Sequence, residues 1–225
     1  MNELQQPDAS RFVAGLVAEM EQLFARLGRE GALEAESKGR VEIVTLLELA
    51  LQSEVEASEL AGFWMPTTPE IDVKMAFARQ CGDEMKHYHL IRKRLGELGR
   101  DTSALDPLAD GYTPLYHYLK GLRSTVERVA AGPFAREAIA EVRNEQFIAL
   151  CERLGDPETA ALYRDVIQPE EILHHRLGRD LLEKYCTTPE LQAAATAATR
   201  NTLAIADELS SLAERSTGMH PIPAS

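Results

Sequence analysis

Two short fragments of this 225-residue chain combine residue types that can hold a metal ion: Asp83-Glu84-Met85-Lys86-His87 and Glu170-Glu171-Ile172-Leu173-His174. Each reads acid-Glu-x-x-His. On a helix, positions i and i+3 stand on one face a turn apart, so Glu84 with His87, and Glu171 with His174, can grip one ion together. A single such motif would be ordinary in so acidic a chain; two, each deep inside a long helical pattern, are not. The stripe around Glu84 is apolar (Val73, Phe77, Cys81, Tyr88, Ile91, Leu95, Leu98) and is interrupted by Gln80, Glu84 and His87. Ile167, Leu181 and Leu182 accompany Glu171. A carboxylate on such a stripe must be paired, protonated or metal-bound. Asp83 and Glu170 each precede a histidine by four residues, which places them to accept that imidazole's second N–H and fix its tautomer.

The elements that position these groups are helices. Apolar residues recur with a period of 3.6, and strand-type alternation is absent. Thr68-Pro69-Glu70, Asp156-Pro157-Glu158 and Thr188-Pro189-Glu190 repeat one start signal: a capping side chain, proline at the first helical position, then an acid near the positive end of the dipole. The pattern predicts helices over 9–28, 38–64, 69–97, 113–130, 133–154, 157–185 and 188–216. Residues 28–39 and 99–111 read as connections, the second long enough to cross from one helix pair to another. Pro169, just before the second motif, either kinks its helix or begins a new one.

Helix-bundle di-metal carboxylate sites join two such motifs to one Glu from each of two other helices. Counting depth from the turn of the hairpin 38–64/69–97 brackets Glu48 and Glu54; the same count in 133–154/157–185 points near Glu141, with Glu145 a turn closer to the loop. An internal repeat chooses between them. A shift of 87 residues maps Glu84 onto Glu171, His87 onto His174 and Glu54 onto Glu141, while Glu48 meets Ala135 and Glu145 falls opposite Ser58. Glu145 remains a candidate labile ligand, and His175, four residues after Glu171, a candidate substitute.

This pattern over residues 40–185, Glu followed about thirty residues later by ExxH, twice, resembles the ferritin-like di-iron carboxylate superfamily. The resemblance implies an all-α four-helix bundle core (38–185) with a long crossover, flanked by accessory helices 9–28 and 188–216, all in a single domain 1–225. It implies Glu54, Glu84, His87, Glu141, Glu171 and His174 as metal ligands, with Asp83 and Glu170 behind the histidines. The implied cofactor is two Fe ions or an Fe/Mn pair, since hard oxygen ligands with a few imidazoles suit those metals. The implied activity is oxidation or hydroxylation of a small-molecule substrate with O2 or peroxide. Ferroxidase or iron handling, and a metal-free helical partner module, are the alternatives. Lys86 and Leu173 stand where the acid-Glu-x-Arg-His signature of di-iron hydroxylases has arginine.

Composition narrows the partners. Twenty-four basic against 36 acidic residues give a formal charge of −12. Such a chain, with no basic run, is not expected to bind nucleic acid or an anionic membrane. Three scattered cysteines exclude a disulfide framework and a four-cysteine iron or zinc site. No apolar run is long enough to span a bilayer, and the N-terminus lacks a signal-peptide pattern, so a cytoplasmic location is expected, with a homodimer possible through segment 9–28.

Overall fold

Proline and glycine positions decide where the helices begin, bend and end. The computed structural model describes residues 8–27 and 42–216, and among these every regular element is helical. The elements are α1 (Ala9–Leu27), α2 (Ile43–Trp64), α3 (Ile71–Glu97), α4 (Pro114–Gly121), α5 (Thr125–Val129), α6 (Glu137–Leu154), α7 (Pro157–Leu162), α8 (Gln168–Tyr185) and α9 (Pro189–Ser216). Residues 38–41 of the expected second helix and the connection 28–39 lie outside the described residues.

Two of the three start signals cap as expected. Asp156 accepts the Thr159 amide at 2.9 Å and the Thr159 hydroxyl at 2.6 Å, and Arg94 reaches the same carboxylate at 2.7 Å. Thr188 accepts the Leu191 amide. Thr68 does not cap α3: its hydroxyl turns back to the Trp64 carbonyl at 2.9 Å, and the helix begins after Glu70. Gly155, at φ +77°, closes α6 in the left-handed conformation that leaves only a two-residue turn before α7.

The expected break between 130 and 133 is absent. The chain breaks at 122–124 instead, where Ser124 and Glu127 form a capping box at the start of α5. From there it runs unbroken to Leu154, and Pro133 is absorbed in a π-helical turn, Ala130–Arg136, between α5 and α6. Proline has no N–H to give and its ring crowds the carbonyl four residues back; widening the turn accommodates both. A second π-helical turn, Tyr163–Ile167, joins α7 to α8 directly ahead of Pro169, so the helix continues through that proline with a bulge beside the second motif.

Helices α2 and α3 form a hairpin, as do α6 and α7–α8, and α3 packs on α8. Helix α9 covers α5 and the first π turn, while α1 rests on α8. The connection 98–113 is pinned to α2 by Glu56, which takes the Thr113 amide at 2.7 Å and its hydroxyl at 2.6 Å. No helix among the described residues is long and apolar enough to cross a membrane.

The buried side chains form two apolar clusters. One holds Leu60, Trp64, Val73, Phe77, Phe134 and Leu182; the other holds Leu47, Leu51, Ile91, Leu95, Phe147 and Ile167. Between them a buried polar layer crosses α2, α3, α6 and α8, made of Glu54, Gln80, Glu84, His87, Glu137, Glu171 and His174. Burying so many polar groups in a layer opposes folding unless they satisfy one another or a ligand does.

Candidate metal centre

Glu54, Glu84 and His87 stand in the middle turns of α2 and α3, whereas Glu137 and Glu171 stand in the first turns of α6 and α8, each just after a π-helical turn. Their ligand atoms fall into two sets. In the first, His87 Nδ1 lies 3.4 Å from Glu54 Oε2, 3.5 Å from Glu84 Oε2 and 3.4 Å from Glu171 Oε1. In the second, His174 Nδ1 lies 3.5 Å from Glu84 Oε1 and 3.5 Å from Glu171 Oε2, and Glu137 joins them. Glu84 and Glu171 therefore divide their two oxygens between the sets, while Glu54 and Glu137 each belong to one.

The donor set fits divalent cations. An ion with ligand bonds of about 2.1 Å sets neighbouring ligand atoms roughly 3.0–3.4 Å apart. His87 Nδ1, His174 Nδ1, Glu84 Oε1, Glu137 Oε2 and Glu171 Oε2 are buried and have no hydrogen-bond partner. Leaving five such atoms orphaned would each cost on the order of 1–3 kcal/mol. With Glu54 of α2 they converge from four helices on two points, which is what a pair of ions would satisfy.

Titration follows from the same crowding. Burial, with the charges of Glu84 and Glu171, holds Glu54 well above the usual carboxylate range. Burial and the charge of Glu171 do the same to Glu137, and the adjacent Arg136 does not offset them. For Glu171 burial is outweighed by the imidazoles of His174 and His87 beside it, and its carboxyl is held low. Burial disfavours the imidazolium of His87 and of His174, but Glu171 and the other surrounding carboxylates raise both.

The outer nitrogens are held across the helix pair. His87 Nε2 meets Glu170 at 2.8 Å and His174 Nε2 meets Asp83 at 3.1 Å. Each acid thus serves the histidine of the other helix rather than the one four residues along its own, because α3 and α8 lie side by side with Nδ1 of both imidazoles turned inward. Lys86 ion-pairs with Glu170 and lies 3.9 Å from Asp83, and Arg79 lies 3.4 Å from Asp83, so the two acids stay charged-paired on their outer side. Carboxylates behind metal-bound imidazoles fix the ring and raise its basicity. Replacing Glu170 by Gln should weaken the ion in the His87 set by about 10–100-fold, and Asp83→Asn should do so for the His174 set. Competition with a chelating dye measures this; unchanged affinity in both variants would mean these contacts do not tune a metal.

Of the residues singled out from sequence, the structure brings Glu54, Glu84, His87, Glu171 and His174 together. It does not bring in Glu141, which is half-buried one turn nearer the hairpin, its carboxyl raised by burial and by Glu145. Glu137 stands in its place. The interval from Glu137 to Glu171 is 34 residues against 30 from Glu54 to Glu84, so the two hairpins are not exact repeats. The π turn at Tyr163–Ile167 supplies one of the extra residues. Glu145 is exposed. His175 joins neither set: its Nδ1 donates to the Phe134 carbonyl at 2.7 Å and its ring stacks on Phe134, clamping the first π turn.

Two groups around Glu137 also escaped the sequence reading. Gln80 donates to Glu137 Oε1 at 2.6 Å and Arg136 approaches the same oxygen at 3.0 Å, which leaves Oε2 for the metal side. Arg136 also donates to the carbonyl and hydroxyl of Ser53, at 2.8 and 2.9 Å, tying the π turn to α2. The signals present in the sequence were Gln80 on an apolar stripe and Gly132-Pro133 inside a helical pattern. A cavity of about 380 Å³ reaches this layer, with Glu54, Glu84, Glu171 and Arg136 among its lining residues.

The architecture and the buried clusters are compatible with a ferritin-like arrangement. Comparison with family models, with curated proteins and with solved structures finds no match to this chain.

Proposed function

We propose that this protein is a ferritin-like di-metal carboxylate oxidoreductase, holding two iron ions or an iron–manganese pair and oxidising a small organic substrate. The observation that carries this reading is the division of Glu84 and Glu171 between two sets, each completed by one histidine Nδ1 and one further glutamate. Glu54 and His87 would hold one ion, Glu137 and His174 the other, and Glu84 and Glu171 would bridge them. Four carboxylates then balance four positive charges. Such a pair, when bound and reduced, supplies the electrons that activate O2 or peroxide. The protein's own contribution is to keep both imidazoles in one tautomer through Glu170 and Asp83, and to orient Glu137 through Gln80 and Arg136. It also keeps the layer dry between two apolar clusters while one cavity admits a substrate. That cavity favours substrate oxidation over simple iron storage.

Anaerobic loading with ferrous iron, followed by elemental analysis and an oxygen pulse monitored by Mössbauer spectroscopy, tests the reading. We expect close to two ions per chain, oxidised together on the pulse. The Glu84→Ala/Glu171→Ala variant should hold almost none, and Glu137→Ala should lose metal where Glu141→Ala does not. Stoichiometry near zero in the wild type would overturn the proposal.

A further inference from the structure

Helix α3 buries Val73, Gln80 and His87 on one side and carries an apolar stripe on the other. The stripe is Ile71, Met75, Ala78, Gly82, Met85 and His89, all exposed. Ile71 and Met75 are each 68% exposed and Met85 39%. Arg79 and Lys86 are the only other exposed residues in that span. A solvated helix face is normally charged or polar throughout. Steps of four, three, four, three and four residues instead make the 3.5-residue seam along which one helix meets another. Ile172 of α8, 44% exposed, widens the stripe. The contacts Asp83–His174 and His87–Glu170 bracket Met85 and Ile172, so these two stand level on adjoining helices.

The order of residues says what fits the stripe. Read inward from both ends, Ile71 matches His89, Met75 matches Met85 and Ala78 matches Gly82. A two-fold contact between copies needs this mirror order, because residue i must meet j while j meets i. Two antiparallel α3 helices then stack in matched layers and come closest at Ala78 and Gly82, where an added Cβ meets nothing within 4 Å in the single chain. Charge agrees. The chain carries −12, so two copies repel over most of their surface. Along this face Lys74, Arg79 and Lys86 nearly balance Asp72 and Asp83. Arg79 and Lys86 keep their own counter-ions, Asp83 and Glu170, and the antiparallel register brings Asp72 of one copy beside Lys86 of the other. From Ile71 to His89 the helix rises about 27 Å, so a helix pair here buries on the order of 500 Å² per copy, where specific interfaces begin. Helix α1, the segment expected from sequence to pair, has already buried Val13, Leu16 and Met20 within its own chain.

We propose that α3 is the contact of a homodimer, a second copy of this chain packing antiparallel along Ile71, Met75, Ala78, Gly82 and Met85. The two candidate metal centres then lie back to back, each on the far side of its own α3.

Sedimentation equilibrium of the full chain from about 1 to 100 μM tests this, since so small a contact should dissociate at micromolar concentration. The wild type should pass from the mass of one chain to that of two across the range. Met75→Glu should stay a single chain throughout with an unchanged far-UV circular dichroism spectrum, because the new acid faces the apolar Met85 of the other copy. Leu154→Glu, at another exposed apolar position, should pair as the wild type does. Met75→Glu combined with Met85→Lys should pair again, because the antiparallel register sets each new acid beside a new base. A wild type that stays a single chain at the highest concentration would overturn the proposal. So would a Met75→Glu variant that still pairs, a Leu154→Glu variant that does not, or a double variant that fails to regain the pair.

Discussion

Adding ferrous iron or Mn(II) under anaerobic conditions should raise the melting temperature at neutral pH by about 10 °C, and the gain should grow with pH. The size follows from mass action. An ion at a hundred times its dissociation constant adds about 2.7 kcal/mol to the folded state. A chain of this length gains about 2–4 °C per kcal/mol. The pH dependence follows from the crowded carboxylates. Glu54 and Glu137 have folded values raised above the unfolded value of about 4.3, so the metal-free fold holds extra protons in that window. Stability then falls as pH rises through it. His87 and His174 are raised as well; their contribution is complete below about 6.5 and is lost as pH climbs through their folded values. Glu171 has the opposite sign: its contribution is present above about 4.3 and disappears only as pH falls through its folded value. The metal-free protein should therefore be most stable near pH 5. The loaded protein should not show this decline, because its ligands must be deprotonated to bind. Glu54→Gln mimics the protonated acid, so it should stabilise the metal-free protein at pH 7.5 and reduce the metal response. Coincident melting curves with and without excess metal across pH 5–8 would contradict a buried ion pair of sites.

How much of this was legible in the sequence depended on whether the information was local. Glu84 with His87, and Glu171 with His174, are set by spacing on one helix, and their burial followed from the apolar stripes that flank them. Glu54 was reachable because the α2–α3 hairpin is level: thirteen residues separate Glu54 from Thr67, and thirteen separate Ile71 from Glu84. The second hairpin is not level. Seventeen residues separate Glu137 from Leu154 and fourteen separate Pro157 from Glu171, so counting depth led to Glu141. That offset depends on how α6 and α8 slide against each other, which no local pattern records. The exchange of Asp83 and Glu170 between helices is of the same kind. Periodicity places an acid and a histidine on one face but does not say which neighbouring helix that face meets. The π turns hid behind prolines that also start helices. Pro157 and Pro189 do start helices, whereas Pro133 lies within a widened turn and Pro169 directly after one.

That first widened turn makes Gly178 sensitive to substitution. Replacing a helical glycine by alanine ordinarily stabilises by about 0.5–1 kcal/mol, because the unfolded chain has less freedom to lose. Gly178, in the middle of α8, should do the reverse. A Cβ there would sit 2.6 Å from the Phe134 amide nitrogen, 2.7 Å from the Pro133 carbonyl carbon and 2.9 Å from Phe134 Cα. These are backbone atoms of the π turn, and they are held on their other side by α9 and by the His175 hydrogen bond. Neither helix can yield without moving the other, so Gly178→Ala should cost about 1–3 kcal/mol, the range for forcing atoms into a packed core. Gly82→Ala and Gly96→Ala on α3 are the controls: a Cβ at either meets nothing within 4 Å, and both should raise the melting temperature slightly. The π turn ends on Arg136, and Glu137 follows directly, so a displaced turn moves the glutamate of the His174 set while Glu54 on α2 stays in place. Gly178→Ala should accordingly weaken one of the two ions more than the other, giving a biphasic metal titration where the wild type gives a single steep one. A variant as stable as the controls would mean that α8 does not rest on the π turn; a destabilised variant with both ions equally tight would mean that the turn does not position Glu137.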